Sequence, residues 1–157
     1  MKIINSILLI FSLAITTNCG FKVMNQLENS NFIFSEINTT GQKRINYKIK
    51  NYFMLNTNKD SKIKLLINLD STKSKIIKEK NIRNEITKYT IVLKSEIEFN
   101  KTDEVKKKKF NKSVTGDFMV NEKYSITVNN ENNLIDDLVK KLSEDILDEI
   151  SLKLNDL

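Results

Sequence analysis

The chain has 157 residues and a formal charge of +6, which is room for one domain. It has no His, Pro or Trp and a single Cys, Cys19, so the usual general base and commonest metal ligand are missing, and an internal disulfide or a Cys-rich zinc site is excluded. Its 39% hydrophobic residues supply a modest core, while 24 Lys, 21 Ile and 21 Asn point to an AT-rich coding bias as one source of the charge.

Lys2 opens the chain, and an apolar run from Ile7 to Ile15 follows, broken only by Ser12. This is the form of a secretory signal peptide, and it is too short for a spanning helix, which needs about 20 apolar residues. Cys19 comes next, in Thr16-Thr17-Asn18-Cys19-Gly20. That placement resembles the lipobox of bacterial lipoproteins, whose thiol is diacylated and becomes the first mature residue. The family pattern has Gly, Ala or Ser where this chain has Asn18. An ordinary secretory signal with an incidental free Cys is the alternative. The expected division is a signal peptide over residues 1–18, a lipidated tether over 19–31 and one domain over 32–157. Gly20, in place of the Asp that holds lipoproteins at the inner membrane, makes the outer membrane the expected destination. Loss of residues 1–18 removes Lys2 and no acid, so the balance falls from +6 to +5. In that compartment the anionic neighbours are phosphorylated lipid head groups rather than nucleic acid.

Phe32-Ile33-Phe34-Ser35-Glu36-Ile37 reads as a brief strand. Thr39 and Gln42 have the spacing of a capping box, which predicts a helix start there. Ile45, Ile49, Tyr52 and Phe53 then form one apolar stripe that fades near Asn56. Beyond Ser61 the period drops to two. Ile63, Leu65, Ile67 and Leu69 alternate with more polar residues, as do Tyr89, Ile91, Leu93, Ile97 and Phe99, and then Phe110, Val114, Phe118 and Val120. This is the pattern of antiparallel strands with one buried face. The stretch from Asn100 to Glu104 reads as a hairpin connection, and residues 71–84 either extend the preceding strand or form a loop. From Asn132 the helical period returns, with Leu134, Leu138, Leu142, Ile146, Ile150 and Leu154 every four residues. Asp136 and Asp137 in the first turn and Lys153 in the last would suit the helix dipole. The expected fold class is α+β: a small, mostly antiparallel sheet of about four strands with two helices on one face, in the order strand–helix–strand–strand–strand–helix.

Cys19-Gly20-Phe21, the helix segment Arg44-Ile45-Asn46-Tyr47-Lys48-Ile49-Lys50-Asn51-Tyr52-Phe53 and the Tyr-bearing strand Glu85-Ile86-Thr87-Lys88-Tyr89-Thr90-Ile91-Val92-Leu93 fall in one order. With a further strand and a closing amphipathic helix, the chain resembles the lipopolysaccharide-assembly lipoprotein LptE family. Lys22-Val23 stands where the family often has a proline. The resemblance implies a plug for the LptD β-barrel that supports barrel assembly and binds lipopolysaccharide on its way to the outer leaflet. The alternative is a generic periplasmic lipid-binding or transport-accessory lipoprotein without a barrel partner.

No constellation supports catalysis. The acids of the last helix, among them Asp136, Asp137, Glu144, Asp145, Asp148 and Glu149, read as a solvated face rather than a metal site, and no cofactor is expected. Two basic clusters are candidates for lipopolysaccharide phosphates. Lys106, Lys107, Lys108 and Lys109 are the densest; their other reading is edge lysines that block unwanted strand pairing. Arg83 lies with Lys80 and Lys88 before the Tyr89 strand, and Arg grips phosphate bidentately where Lys cannot. Its other reading is a solvated loop arginine. A Ser–Lys hydrolase remains as a third class and would need a pocket with a depressed lysine.

Overall fold

A computed structural model of the chain describes residues 31–58 and 60–155. The proposed signal peptide, Cys19 and most of the tether lie outside the described residues. Strand β1 (Phe32–Gly41) leads to helix α1 (Lys43–Asn56), strands β2 (Ile63–Lys80), β3 (Ile86–Lys101) and β4 (Lys108–Met119), and helix α2 (Tyr124–Asn155). The sheet has the order β1-β2-β3-β4. β1 runs parallel to β2, with α1 as the crossover, and the other two pairings are antiparallel hairpins. The α+β order expected from the sequence is the order observed.

Alternation decides which face is covered. Leu65, Ile67, Leu69 and Ser71 of β2, Ile91, Leu93, Ser95, Ile97 and Phe99 of β3, and Val114 and Phe118 of β4 are buried beneath the helices. From α1 the stripe Ile45, Ile49 and Phe53 is buried, and from α2 Leu138, Leu142, Ile146 and Ile150 with Ile135, Val139 and Leu147. Phe32, Phe34 and Phe53 join β1 to α1, with ring centroids 5.4 and 5.1 Å apart. β1 changes facing at a bulge between Phe34 and Glu36, where the Ser35 hydroxyl donates to the Leu65 carbonyl at 3.0 Å. The buried Ser71 and Ser95 hydroxyls, opposite each other in register, satisfy one another at 2.7 Å.

Three local expectations are corrected, and one alternative is decided. The capping box does not form: Thr39 and Thr40 belong to β1, paired with Leu69 and Asp70, and Gln42 is itself the N-cap without a side-chain bond. Sheet pairing wins over the local cap because it satisfies backbone groups along the whole strand. The entry to α1 is held instead by Asn46, whose Nδ2 donates to the Thr40 carbonyl at 2.5 Å, and by the Gln42 N–H on the Ser71 carbonyl at 2.8 Å. Residues 71–84 are strand to Lys80 and a tight turn beyond it. α2 begins at Tyr124, not near Asn132, so its 32 residues span about 48 Å rather than roughly 32 Å. Asp136 and Asp137 consequently sit mid-helix and contribute nothing to its N-terminal dipole, whereas Lys153 does occupy the last turn.

The start of α2 was hidden because Ile126, Thr127, Val128, Asn129 and Asn130 are poor helix formers. Asn121 and Thr127 compensate: Thr127 Oγ1 accepts from the Asn121 N–H at 2.8 Å, and Asn121 Oδ1 from the Lys123 N–H at 3.0 Å. The two helices meet along a polar seam in which Arg44 reaches Asn132, Lys48 pairs with Asp136, and the Tyr52 hydroxyl donates to Glu144 at 2.9 Å.

Gly41 turns the chain out of β1 with φ +83°, and a Cβ there would lie 2.4 Å from the Ser71 carbonyl oxygen. Gly116 is crowded only by leucine side chains, the tip of Leu134 at 2.6 Å and that of Leu138 at 3.3 Å from its would-be Cβ. Gly41→Ala should therefore cost about 2–3 kcal/mol in urea unfolding, since backbone strain adds to a clash that cannot relax. Gly116→Ala should cost about 1 kcal/mol, because a leucine rotamer can shift; equal losses would contradict this account.

Candidate functional site

The two basic clusters lie at opposite ends of β3. Lys88 pairs in register with Met119, while Glu98 pairs with Lys109, ten residues further along the strand. At 3.3 Å per residue the clusters are about 33 Å apart. They are two sites and cannot close on one phosphate pair.

At the β3–β4 end most of the lysines are committed to acceptors within the fold. Lys107 and Lys109 both pair with Glu98, at 2.7 and 2.6 Å. Lys108 donates to the Lys153 carbonyl at the end of α2. Lys112 and Lys153 share Glu149, at 2.8 and 3.2 Å. Hydrogen bonds from Lys107 and Lys109 hold the Glu98 carboxyl down at about 2, and those from Lys112 and Lys153 lower Glu149. Lys106 is exposed and makes no ion pair among the described residues. Alternation within the strand splits the run, with Lys108 turned toward the helix and Lys109 toward the open face. Most of this cluster therefore ties β4 to β3 and α2.

The β2–β3 end is arranged differently. Asn81 builds the turn: its Oδ1 accepts from the Arg83 and Glu85 N–H groups at 2.9 and 3.0 Å, and its Nδ2 donates to Glu85 at 2.6 Å. Asn84 adopts φ +64°, the left-handed conformation that asparagine tolerates where this chain has no glycine. Arg83 is 78% exposed and 3.7 Å from Glu85, a loose surface pair. The Lys80 ammonium meets only the Asn84 amide oxygen, at 2.9 Å. Lys88 is taken by Glu79 at 2.6 Å, and Lys78 by Asp117, which lowers the Asp117 carboxyl and raises the Lys78 ammonium. Of the four cations in residues 78–88, Arg83 and Lys80 are the ones left available.

Behind the tip, Tyr89 stacks on Phe118 at 5.6 Å, and the Lys75 ammonium lies 4.3 Å from the Tyr89 ring centroid while pairing with Glu131 of α2 at 2.5 Å. Burial pushes the Glu131 carboxyl up, but Lys75 and Lys73 bring it below its ordinary value. These contacts brace the distal half of β2 against α2. The acids of α2 are thus more than a solvated face, since Glu131, Asp136, Glu144 and Glu149 each hold a neighbouring element. Burial and the neighbouring Asp145 and Glu144 raise the Asp148 carboxyl, and burial and Glu144 raise the Tyr52 hydroxyl.

Sequence reasoning missed the open face of the sheet. Asn38, Asn68, Glu98 and Lys109 form one cross-strand row, and Thr40, Asp70, Glu96 and Asn111 the next. Together they line a shallow trough of about 380 Å³. Only the register brings these residues together. It also missed Ile82, fully exposed at the apex of the β2–β3 turn, although an isoleucine between two asparagine-flanked strands was a readable signal.

No family model and no curated protein matches the chain. Solved structures share its fold. Rare lipoprotein B from Shewanella oneidensis aligns over 76% of this chain and 97% of its own, with a TM-score of 0.58 and 11% identity. An uncharacterized lipoprotein B from Nitrosomonas europaea aligns over 87% and 93%, with a TM-score of 0.53 and 14% identity. A putative lipoprotein from Caulobacter crescentus aligns over 80% and 91%, with a TM-score of 0.50 and 10% identity. At these identities the likeness establishes the fold.

Glu98 offers a direct test of the β3–β4 end. Its carboxyl is depressed from 4.5 to about 2, so the pairing is complete above the ordinary value and is lost as pH falls through 2. Carbon-detected NMR titration should find it there in the wild type and back near the ordinary carboxylate value in the Lys107→Gln, Lys109→Gln double variant. An unchanged titration in the double variant would show that the lysines are not paired in solution.

Proposed function

We propose that this chain is a non-enzymatic outer-membrane lipoprotein of the LptE type. Its body docks within an LptD-like β-barrel as plug and assembly partner, and its β2–β3 tip contacts lipopolysaccharide. Lipidation of Cys19 would hold it on the periplasmic face of the membrane. The observation that carries the reading is the fold itself: strand, crossover helix, three-stranded meander and long closing helix, in the order on which the family resemblance rests. The names of the structures that share this fold, all lipoproteins, agree with the Cys19 anchor.

The site geometry favours one of the two basic clusters. A phosphate must compete with the existing carboxylate partners of each lysine. At the β3–β4 end it would have to displace Glu98 and Glu149, whereas Arg83 and Lys80 meet a loose pair and an amide. Charge-assisted, bidentate phosphate contact is then strongest at Arg83. The trough of the open face is shallow and rimmed by Asn38, Asn68, Glu96 and Lys109 rather than an enclosed sleeve for an acyl chain, which supports a docking protein over a lipid carrier.

Detergent extraction of cells grown with labelled palmitate, followed by affinity purification, is the decisive experiment. A labelled chain in stable complex with a large β-barrel is expected, and an unlabelled monomer would sink the proposal. In lipopolysaccharide binding, the Lys80→Glu, Arg83→Glu double variant should bind at least about tenfold more weakly, from roughly 1 kcal/mol per cation. Lys107→Glu with Lys109→Glu should change binding much less, and the reverse ranking would move the site to the other end.

A further inference from the structure

We propose that the β2–β3 tip is a leaflet-docking element, in which Ile82 enters the hydrocarbon edge of an anionic phospholipid leaflet while Lys80 and Arg83 bind its phosphates. This deepens the lipid-binding part of the proposed function and does not depend on the barrel.

An isoleucine at the apex of a tight turn, with its whole side chain in water, gains nothing for the fold. The turn does not require it, because Asn81 and Asn84 supply the side-chain bonds and the left-handed residue. Ile76 and Ile77 on β2 and Met119 at the end of β4 are each about half exposed behind it, and Tyr124 at the start of α2 is 81% exposed. Register puts Ile76, Ile77 and Met119 at one end of the sheet: Ile77 is opposite Tyr89, Tyr89 opposite Phe118, and Lys88 opposite Met119.

The charges are layered around this apolar end. Residues 78–88 hold Lys78, Lys80, Arg83 and Lys88 against Glu79 and Glu85, a net of +2. Asp117 and Glu79 occupy Lys78 and Lys88, and Glu85 meets Arg83 only loosely, so the cations most open to a ligand are the two flanking Ile82. An apolar point collared by exposed cations has the layering of an anionic leaflet, where phosphates lie just outside hydrocarbon. Nothing packs over Ile82, so the tip is a protrusion that suits a lipid surface rather than a cradle for an extracted molecule. Such insertion is shallow, about 5–10 Å.

The absence of tryptophan makes a clean optical test possible. Residues 19–157 carrying Cys19→Ser, which cannot be acylated, would be prepared with Ile82→Trp. A control would carry Leu55→Trp, at an exposed position on α1. Circular dichroism matching the parent would verify folding of each. With phosphatidylcholine vesicles containing one part in three phosphatidylglycerol, emission from Trp at position 82 should shift to shorter wavelength. It should stay unshifted with phosphatidylcholine alone, and the control should not shift with either. Ile82→Asp should weaken vesicle co-sedimentation about tenfold. No shift at position 82 in lipid excess, or an equal shift in the control, overturns the proposal. A shift caused by self-association without lipid also overturns it, since the apolar end would then cover a second copy. Lipopolysaccharide binding with a silent position 82 would leave the proposed function standing and refute this inference. A vesicle-dependent shift without lipopolysaccharide binding would do the reverse.

Discussion

The structure depends on a sheet whose central ladder is longer than the helical layer that covers it. β2 and β3 pair from Leu65 and Lys101 to Lys80 and Ile86. α1 covers β1 and the first half of β2, and α2 covers β4 and β3. No residue of β2 beyond Ser71 is buried. Up to that point the inward positions are Leu65, Ile67 and Leu69; past it they are Lys73 and Lys75. The buried Ser71–Ser95 pair marks the change. One end of the molecule is consequently a closed core and the other a braced polar extension ending in the exposed turn.

This asymmetry decides what each cation does. Near the closed end, β4 must be held against β3 and under the last turns of α2, and Lys107, Lys108, Lys109 and Lys112 are used for that through Glu98, Glu149 and the Lys153 carbonyl. Such pairs are individually weak at a surface, about 0–1 kcal/mol, but they fix where the side chains lie. At the extended end, Lys73, Lys75 and Lys78 brace β2 through Glu131 and Asp117. Arg83 and Lys80, past the last brace, remain for a ligand.

The sheet and both helical stripes were legible because burial on one face imposes a period, and the period survives wherever a helix covers the strand. Where cover stops, legibility stops. The distal part of β2 carries lysines on the inward parity and reads equally as strand or loop, although its backbone pairs with β3 as far as Lys80. The first turns of α2 hold by Asn121, Thr127 and Glu131 rather than by an apolar stripe, so the helix appeared to start at Asn132. At Thr39 a correct local motif lost to strand pairing that no local signal announces. The candidate sites divide in the same way. Arg83 and Lys80 share one turn, so their association is local and readable. The fate of the Lys106–Lys109 run depended on Glu98, which only the β3–β4 register places opposite.

The strong basic composition therefore overstates the basic surface open to a partner. A lysine paired with a carboxylate presents a dipole whose field is screened within about 10 Å at ordinary salt. A loosely paired, exposed arginine beside an exposed isoleucine presents a charge and an apolar contact together. The sites for an anionic amphiphile are thus decided by where the acids are missing rather than by where the lysines are dense. By that criterion Lys107, Lys108 and Lys109, prominent in the sequence, are a fastening. The short Asn81–Asn84 turn, with two exposed cations around Ile82, is the surface that a phosphorylated lipid would meet.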